Sequence, residues 1–331
     1  MSYIHVEVTL VKKWLKRISF VFLGLFLIFI IVFFRPDINI EKVKDLYLTE
    51  YSNEVELSIQ SLSGTTLSID IHYMDIGNPS LPVIFLIHGA FSSSHTFLPW
   101  AFDLSNEGYR IILMDLPYFG LSGVFKDLVT SFRRSAEVVS ALLNYLGISK
   151  VHIGGNSLGG AVSWFFASEY PSMTESLLLI DAVPPNLSNR NTSNFIKNPI
   201  VSSVISQFTP RFLLKEILKT AYGDSKSLDE DTVDRYYTII RKTGTRKNIL
   251  RVTQEEEPLF SYEERILSIY APIYLMWGEK DTWISVDAYH YFVSTLNLPE
   301  NRHILFPTLG HVPMEEDPST VNYYIQFLNE V

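Results

Sequence analysis

A single serine stands at the centre of the sequence Gly155-Asn-Ser157-Leu-Gly159. This stretch follows an apolar, strand-like run at 151–155 and leads into a helix-like stretch at 158–170. Glycines on both sides let the helix approach the strand, so the central residue lies on a sharp turn with its side chain free. A serine hydroxyl placed beside a helix N-terminus, which stabilises developing negative charge, is typical of a nucleophile. The pattern therefore predicts Ser157 as a catalytic nucleophile.

A serine hydroxyl reacts slowly at neutral pH and needs a base. His311 follows the last apolar run, 303–307, across a turn at Gly310, and we predict that it accepts the serine proton. The imidazole in turn needs a carboxylate that fixes its tautomer. Asp281, which leaves the preceding apolar run, is our first choice, and Asp181, which ends an earlier run, is the alternative.

The elements that must position these side chains are six continuous apolar runs at 83–88, 110–115, 151–155, 176–181, 273–278 and 303–307. Such runs are typical of parallel strands that are buried on both faces. Amphipathic, helix-like stretches lie between them, and two alternating stretches at 55–62 and 65–77 predict an antiparallel hairpin ahead of them. The chain is therefore predicted to form a mostly parallel, doubly wound α/β sheet, whose strand ends bring the candidate residues to one edge.

The alternation of strands and helices stops between Asp181 and Pro272. Residues 183–268 contain helix-like pieces but no apolar strand run, and the strand pattern resumes afterwards, which predicts a helical cap inserted into one domain. Its apolar side chains predict a pocket for acyl or aromatic groups. These side chains are Phe195, Ile196, Val204, Ile205, Phe208, Phe212, Leu213, Leu214, Tyr236 and Tyr237.

Five pieces of sequence occur in a characteristic order: His88-Gly-Ala-Phe91, Asp115-Leu-Pro-Tyr-Phe-Gly-Leu-Ser122, the Ser157 turn, Gly278-Glu-Lys-Asp281 and Gly310-His311-Val-Pro-Met-Glu-Glu316. On these pieces, residues 51–331 resemble the α/β-hydrolase superfamily. The likeness is to bacterial esterase-like or lipase-like members with a helical cap, and to the C–C bond hydrolases that act on aromatic ring-cleavage products. Members with an aspartate nucleophile are disfavoured because Ser157 occupies the turn.

The resemblance implies an oxyanion hole made of two backbone N–H groups. One belongs to Leu158 and the other to Ala90, with Phe91 as the alternative. It also implies that His88 braces its loop and is not a second base. Tyr118 departs from the family pattern, because relatives commonly carry glycine at this position.

Residues 18–34 form an uncharged, strongly apolar run that would span about 25 Å as a helix. We predict an uncleaved transmembrane anchor preceded by a basic cytoplasmic segment, 1–17, and followed by a linker, 35–50. The cationic flank then places the hydrolase domain, 51–331, on the far side of the membrane, in the periplasm or outside the cell. A cleaved signal peptide and a buried core helix are the alternatives, and the bulky residues at the end of the run disfavour cleavage.

Charge and composition exclude several other functions. The first 35 residues carry five Lys and Arg against one Glu, a net +4, so a chain of net charge −9 leaves −13 for the remainder. An acidic body without a cationic stripe does not favour nucleic-acid binding. The chain has no cysteine, which excludes disulfides, cysteine–zinc sites and a cysteine nucleophile. We expect no cofactor and no metal ion.

Three functions remain after these exclusions. The first is hydrolysis of carboxylic esters, including lipid-like esters, through a Ser-His-Asp triad and an acyl-enzyme. The second keeps the triad but cleaves a C–C bond in a ring-cleavage product. The third is a membrane-tethered binding module without catalysis, since a fold alone does not give a function.

Overall fold

The computed structural model describes residues 2–60, 64–185, 198–251, 253–254 and 260–331. The strands are β1 Ser52–Gln60, β2 Thr66–Ile76, β3 Val83–Ile87, β4 Arg110–Met114, β5 Val129–Thr130, β6 Val151–Asn156, β7 Thr174–Ile180, β8 Thr253–Gln254, β9 Ile273–Gly278 and β10 His303–Phe306. The helices are α1 Ser2–Phe33, α2 Ile40–Tyr47, α3 Leu98–Asn106, α4 Phe132–Tyr145, α5 Leu158–Glu169, α6 Pro199–Ile205, α7 Arg211–Lys219, α8 Glu230–Ile240, α9 Thr245–Arg251, α10 Phe260–Leu267, α11 Val286–Thr295, α12 Pro313–Glu316 and α13 Val321–Leu328.

Eight of the strands form one sheet in the order β1-β2-β4-β3-β6-β7-β9-β10. The pairs β1–β2 and β2–β4 are antiparallel, and all the other pairs of this sheet are parallel. The structure thus confirms both the amino-terminal hairpin and the mostly parallel sheet. Since β6, β7, β9 and β10 run in the same direction, their carboxyl ends share one edge.

Both faces of the sheet are covered, which explains the continuous apolar runs. Along β3, Val83, Phe85 and Ile87 belong to one hydrophobic cluster, whereas Ile84 and Leu86 belong to another. Helices α4, α5 and α11 complete the first cluster, and α3 and α13 complete the second. Successive side chains of a strand point to opposite faces, so only an uninterrupted apolar run can be buried between two helical layers.

Helix α1 contains the apolar run predicted as a membrane anchor. Its segment Trp14–Phe33 has 20 residues with a mean hydropathy of 2.4, and none of the most apolar window is buried in the protein. That exposure contradicts the alternative of a buried core helix. Length and composition suit a membrane anchor or a signal sequence.

The segment 35–50, predicted as a linker, is a folded element, and this corrects the prediction. It contains α2, where Val43 is fully buried. The Ile38 N–H donates to the Arg241 carbonyl at 2.7 Å, and the Thr243 N–H donates back to the Ile38 carbonyl at 2.9 Å. These bonds join the segment to the residues that follow α8.

The inserted region differs from the predicted cap in two respects. The two-residue strand β8 pairs with β5, so the insertion is not purely helical. Helix α10 belongs to the core, because Tyr262 packs against Trp164 and Phe165 of α5 and against Phe132 of α4. The described cap therefore consists of α6 to α9, and residues 186–197, 252 and 255–259 lie outside the described part of the chain.

Candidate active site

Ser157 forms the turn between β6 and α5 with φ 54° and ψ −116°. A non-glycine residue rarely adopts this conformation, which costs about 1 to 3 kcal/mol and requires support from its surroundings. The Ser157 N–H donates to the Ile180 carbonyl at 3.0 Å, and its own carbonyl accepts from Val183 at 3.0 Å. Neighbouring strand β7 thus holds the strained turn in place at the edge of the sheet.

The turn depends on the absence of a side chain at Gly159. A Cβ atom there would lie 2.1 Å from the Ile87 carbonyl oxygen, well inside van der Waals contact. The first turn of α5 therefore rests on the end of β3. This close approach is the physical reason for the glycine that the sequence pattern contains.

We expect Gly159→Ala to lower the free energy of unfolding by about 3 kcal/mol, because backbone must move to admit the methyl group. Gly108→Ala is the matched control: its φ is +91° but nothing lies within 4 Å of the added atom. This control should cost about 1 to 2 kcal/mol for backbone strain alone. Urea denaturation measures both losses, and equal losses would contradict the close approach.

His311 and Asp281 come together at the carboxyl ends of β10 and β9. The His311 Nδ1 atom lies 2.7 Å from Asp281 Oδ2, and both residues are buried. The other carboxylate oxygen, Oδ1, accepts the N–H groups of Trp283 at 2.7 Å and Ile284 at 3.0 Å. This carboxylate is fixed by two backbone donors and aimed at the ring, which leaves the His311 Nε2 atom to face a substrate.

Two side chains that the sequence analysis did not select hold His311 at this edge. The Asn156 side chain, directly before Ser157, donates to the His311 carbonyl at 2.8 Å. The Trp283 ring lies against the imidazole with a centroid distance of 5.1 Å. Asn156 lies inside the Gly155–Gly159 pattern, and Trp283 lies two residues after Asp281. Proximity in sequence to the predicted catalytic residues was the one feature that could have identified them.

Asp181, the alternative acid, lies beside this pair without taking its place. Its Oδ1 atom accepts the Gly278 N–H at 3.0 Å, and its Oδ2 atom has no hydrogen-bonding partner among the described residues. Burial, followed by the charge of Asp281, raises the pKa of Asp181 well above the usual carboxyl range. This environment therefore favours the neutral form of Asp181.

The ligand atoms of Asp181, Asp281 and His311 lie within 4.8 Å of one another, a spacing that could also hold a metal ion. In this arrangement, however, the His311 Nδ1 atom is bonded to Asp281, and Asp281 Oδ1 already accepts two N–H groups. The lone pairs that a cation would need are therefore largely engaged within the protein. Acid–base chemistry at His311, by contrast, needs these hydrogen bonds to Asp281 and does not require any of them to break.

The loop after β3 passes directly against Ser157. A Cβ atom on Gly89 would lie 3.1 Å from the Ser157 Cβ atom. Within the described residues, the backbone N–H groups of Ala90, Phe91 and Leu158 have no acceptor. All three donors suggested by the family resemblance are thus unengaged near the serine.

His88 braces this loop from inside the protein. Its Nδ1 atom contacts the Gly89 carbonyl at 2.6 Å, and its Nε2 atom accepts the Leu116 N–H at 3.0 Å. Complete burial lowers the pKa of His88, which keeps the ring neutral. The ring has no nitrogen left for proton transfer, as expected of a bracing residue.

Tyr118, the departure from the family pattern, has a φ of +75°. Glycine adopts this conformation without strain, which explains why it is common at this position in relatives. Tyr118 is buried, packs against Phe125 and donates from its hydroxyl to the Val129 carbonyl at 3.2 Å. These contacts offset the strain, so the loop keeps its turn with a large side chain.

A cavity of about 200 Å³ lies between the cap and the strand ends. From the core it is lined by Gly89–Ser92, Asn156, Trp283, His311 and Val312, and from the cap by Thr209, Pro210, Leu213, Leu214, Ile217, Leu218, Ala221, Tyr222, Tyr236, Tyr237 and Ile240. Of the cap side chains named from the sequence, Leu213, Leu214, Tyr236 and Tyr237 reach this cavity. Val204, Ile205, Phe208 and Phe212 are not part of its lining, and Phe195 and Ile196 lie outside the described residues.

The cap is tied to the loop that carries His311. The His311 N–H donates to the Ala221 carbonyl at 2.7 Å. The Glu316 carboxylate accepts the N–H groups of Gly310 at 2.6 Å and Gly223 at 2.8 Å, which bridges the same two segments. The sequence analysis assigned no role to Glu316 in the Gly310–Glu316 motif, and the structure shows that it joins the cap to the His311 loop.

Comparison with known proteins places this fold in a family. A family model described as alpha/beta hydrolase fold matches residues 82–318. Lipase 1 of Psychrobacter immobilis is 29% identical over 297 residues, which cover 82% of this chain and 84% of the lipase. A 2-hydroxy-6-oxononadienedioate/2-hydroxy-6-oxononatrienedioate hydrolase of Comamonas testosteroni is 31% identical over 225 residues, which cover 65% of this chain and 75% of that hydrolase.

Among solved structures, a membrane phospholipase A described as a bacterial virulence factor superposes with a TM-score of 0.63 at 26% identity. The superposition covers 84% of this chain and 86% of the phospholipase. The family match, the relatives and the sheet order agree with the resemblance seen in the sequence motifs. This chain belongs to the α/β-hydrolase fold family and is an enzyme with hydrolase activity.

Proposed function

We propose that the protein hydrolyses carboxylic esters through a triad of Ser157, His311 and Asp281. The observation that carries the proposal is the 2.7 Å contact between His311 and Asp281 at the sheet edge that also holds the strained Ser157 turn. The apolar cavity that His311 and Asn156 line supports an acyl or aromatic substrate.

In the proposed reaction, the Ser157 hydroxyl oxygen attacks the ester carbonyl carbon while His311 takes the hydroxyl proton. The backbone N–H groups of Leu158 and Ala90 stabilise the oxyanion, and Asp281 stabilises the imidazolium. Collapse of the tetrahedral intermediate breaks the ester bond, and His311 returns the proton to the departing alcohol. Water, activated by His311, then hydrolyses the acyl-enzyme and releases the carboxylic acid.

Cleavage of a C–C bond is the second candidate, because several relatives carry out that reaction according to their names. The substrate named for the Comamonas testosteroni relative is a dicarboxylate. Such a substrate favours a cationic partner in its pocket. The described lining of this cavity includes neither lysine nor arginine, which favours an uncharged ester. The third candidate, a binding module without catalysis, gives no reason for a serine held in a strained turn beside a His-Asp pair.

We further propose that α1 is an uncleaved membrane anchor with the catalytic domain on the far side of the membrane. Trp14–Phe33 is about 30 Å long as a helix, which matches the hydrocarbon core of a bilayer. The cationic flank before it favours a cytoplasmic N-terminus. The position of the domain outside the cytoplasm follows from that orientation.

A panel of substrates tests the proposed reaction. We expect purified full-length protein to hydrolyse uncharged esters of butyrate to palmitate at least about 100-fold faster, in kcat/KM, than a dicarboxylate ring-cleavage product, because the described lining of the cavity has neither lysine nor arginine. Initial rates with both substrate classes give the comparison. Faster turnover of the ring-cleavage product would favour C–C bond hydrolysis, and turnover of neither class would contradict the proposed ester hydrolysis.

A further inference from the structure

The end of α1 packs against the cap through aromatic rings. Phe208, between α6 and α7, stacks on Phe29 with a centroid distance of 5.6 Å and contacts Phe34 at 5.8 Å. Phe212 of α7 meets Phe33 edge to face at 5.9 Å. Because Phe29 lies four residues before Phe33, the Phe208 ring is level with a point about 6 Å inside the end of the apolar helix.

A buried cation fixes this junction between the helix and the cap. The Arg246 guanidinium, which is almost fully buried, donates to the Arg35 carbonyl at 2.8 Å and to Asp37 Oδ1 at 3.1 Å. The Arg35 N–H donates to the Gln207 carbonyl at 2.6 Å. These bonds hold the chain that leaves α1 against the residues before Phe208, so the position of the helix sets the position of the cap.

The cap carries an exposed apolar surface next to this junction. We define the lipid-facing surface as Ile200, Val204, Phe208, Phe212 and Ile217. Ile200 is 76% exposed, Val204 54% and Phe212 53%. Several large apolar side chains exposed on one part of a soluble domain are unusual and mark a site of interaction.

Two of the four charged residues of α7 face α8. Arg211 and Lys215 both form ion pairs with Glu230, the first residue of α8, and Arg211 also pairs with Asp234. The other two, Glu216 and Lys219, pair with each other, and the remaining five residues of the helix are apolar. This is the pattern of a helix that lies at the interface between water and hydrocarbon.

The cavity lined by Asn156 and His311 reaches the same region of the cap. Leu213 and Ile217 of α7 line the cavity, and both are close to half exposed. Phe212, a neighbour of Leu213 in sequence, contacts α1. One helix thus forms a wall of the cavity and a part of the lipid-facing surface.

We propose that the lipid-facing surface is seated in the outer part of the bilayer leaflet on the side of the catalytic domain, and that an acyl chain enters the cavity along α7 directly from that leaflet. The occupant is a lipid membrane, because the surface continues the apolar helix that would span it. This inference rests on the proposed membrane anchor, and its second part, the entry route, also rests on the proposed ester hydrolysis.

Spin labels measure the depth of the surface independently of activity. The chain has no cysteine, so Val204→Cys gives full-length protein with one labelling site. In phosphatidylcholine vesicles, we expect a nitroxide at this site to collide more with oxygen than with a water-soluble nickel complex. Tyr270→Cys is the matched control, because Tyr270 is 90% exposed and precedes the amino end of β9, opposite the candidate site. Its label should show the reverse preference.

Two results of this measurement overturn the membrane surface. A Val204 label that prefers the nickel complex lies in water. A Val204 label that neither probe reaches is covered by protein, such as a second copy of this chain.

Hydrolysis by paired variants tests the entry route. Ile200→Ser/Val204→Ser should lower the rate toward a long-chain ester carried in phosphatidylcholine vesicles by roughly tenfold, because two apolar side chains no longer enter the lipid. The rate toward a short-chain ester dissolved in water should stay within about twofold, since neither residue lines the cavity. Leu267→Ser/Tyr270→Ser, which removes two exposed apolar side chains from the opposite edge, should leave both rates unchanged.

The outcomes separate this inference from the proposed function. Equal losses toward both esters, or no loss toward the vesicle ester, would overturn the entry route while ester hydrolysis stands. Absence of hydrolysis of any ester would overturn the proposed function and the entry route, and the depth of the Val204 label would still decide the membrane surface.

Discussion

Ser157→Ala is expected to lower kcat for ester hydrolysis by about 10⁴-fold or more, because removal of the nucleophile forces water to attack without an acyl-enzyme. Folding should not suffer, since among the described residues the Ser157 hydroxyl group makes no capping hydrogen bond to helix α5. Alanine at φ 54° carries the same backbone strain as serine. The loss should therefore fall on kcat, with the melting temperature within a few degrees of the wild type.

Labelling by a fluorophosphonate probe is a second measurement of the effect of Ser157→Ala. The probe phosphonylates activated serine hydroxyls, so full-length protein should be labelled and Ser157→Ala should not. Ser168→Ala is the matched control on the same helix, where the hydroxyl only donates to the Phe165 carbonyl at 2.8 Å. This variant should label at the wild-type rate. Undiminished labelling of Ser157→Ala would rule out this residue as the nucleophile.

The sequence was informative about the sheet and the turn because their physics is local. A strand that is covered on both faces must be apolar throughout, as in β3 and β9, and this pattern can be seen without a partner strand. Gly155 is likewise required by a close approach within one strand–turn–helix unit, because a Cβ atom there would lie 2.4 Å from the Gly159 carbonyl carbon. The order of the apolar runs then placed Asp281 and His311 at one edge.

The contacts that the sequence did not predict join segments far apart in the chain. Val43 of the supposed linker is buried, and Tyr262 of the supposed cap packs on α5, because each side chain meets a surface that exists only after folding. Nothing in the local pattern of α2 or α10 distinguishes these contacts from an exposed amphipathic helix. The bridge from Glu316 to Gly223 is similarly invisible before the cap and the His311 loop come together.

The choice between Asp181 and Asp281 as the acid is another feature that the sequence pattern could not decide. Both residues follow apolar runs, so their place at the sheet edge is equally predictable. What separates them is the direction of each carboxylate: Asp281 points Oδ2 at His311, whereas Asp181 points Oδ1 at the Gly278 N–H. Side-chain direction at the end of a strand depends on the conformation of the turn, which composition and periodicity do not fix.

Asp281→Asn should lower kcat by about 10³-fold to 10⁴-fold, because the amide oxygen would keep accepting the Trp283 and Ile284 N–H groups and the NH₂ group would face His311 Nδ1, which favours the wrong tautomer and leaves the imidazolium without a negative partner. Asp181→Asn should keep kcat within roughly threefold, since an asparagine oxygen can accept the Gly278 N–H and its NH₂ group can donate where a protonated carboxyl would. Steady-state kinetics on the two variants decide between the acids. A loss for Asp181→Asn as large as that for Asp281→Asn would make Asp181 part of the catalytic set.

Stability against pH supplies an independent test of the proton on Asp181. Burial and the Asp281 charge raise its pKa above the ordinary value of 3.8, so above that pH the folded protein retains a proton that the unfolded chain releases. The free energy of unfolding therefore falls as the pH rises from about 4 toward the raised pKa. An asparagine side chain does not titrate, so Asp181→Asn should become progressively more stable relative to the wild type as the pH rises above about 4 toward the raised pKa, as measured by urea midpoints. A difference that stays constant with pH would mean that Asp181 is ionised in the folded protein, and a second buried negative charge would then lie against the Asp281 carboxylate.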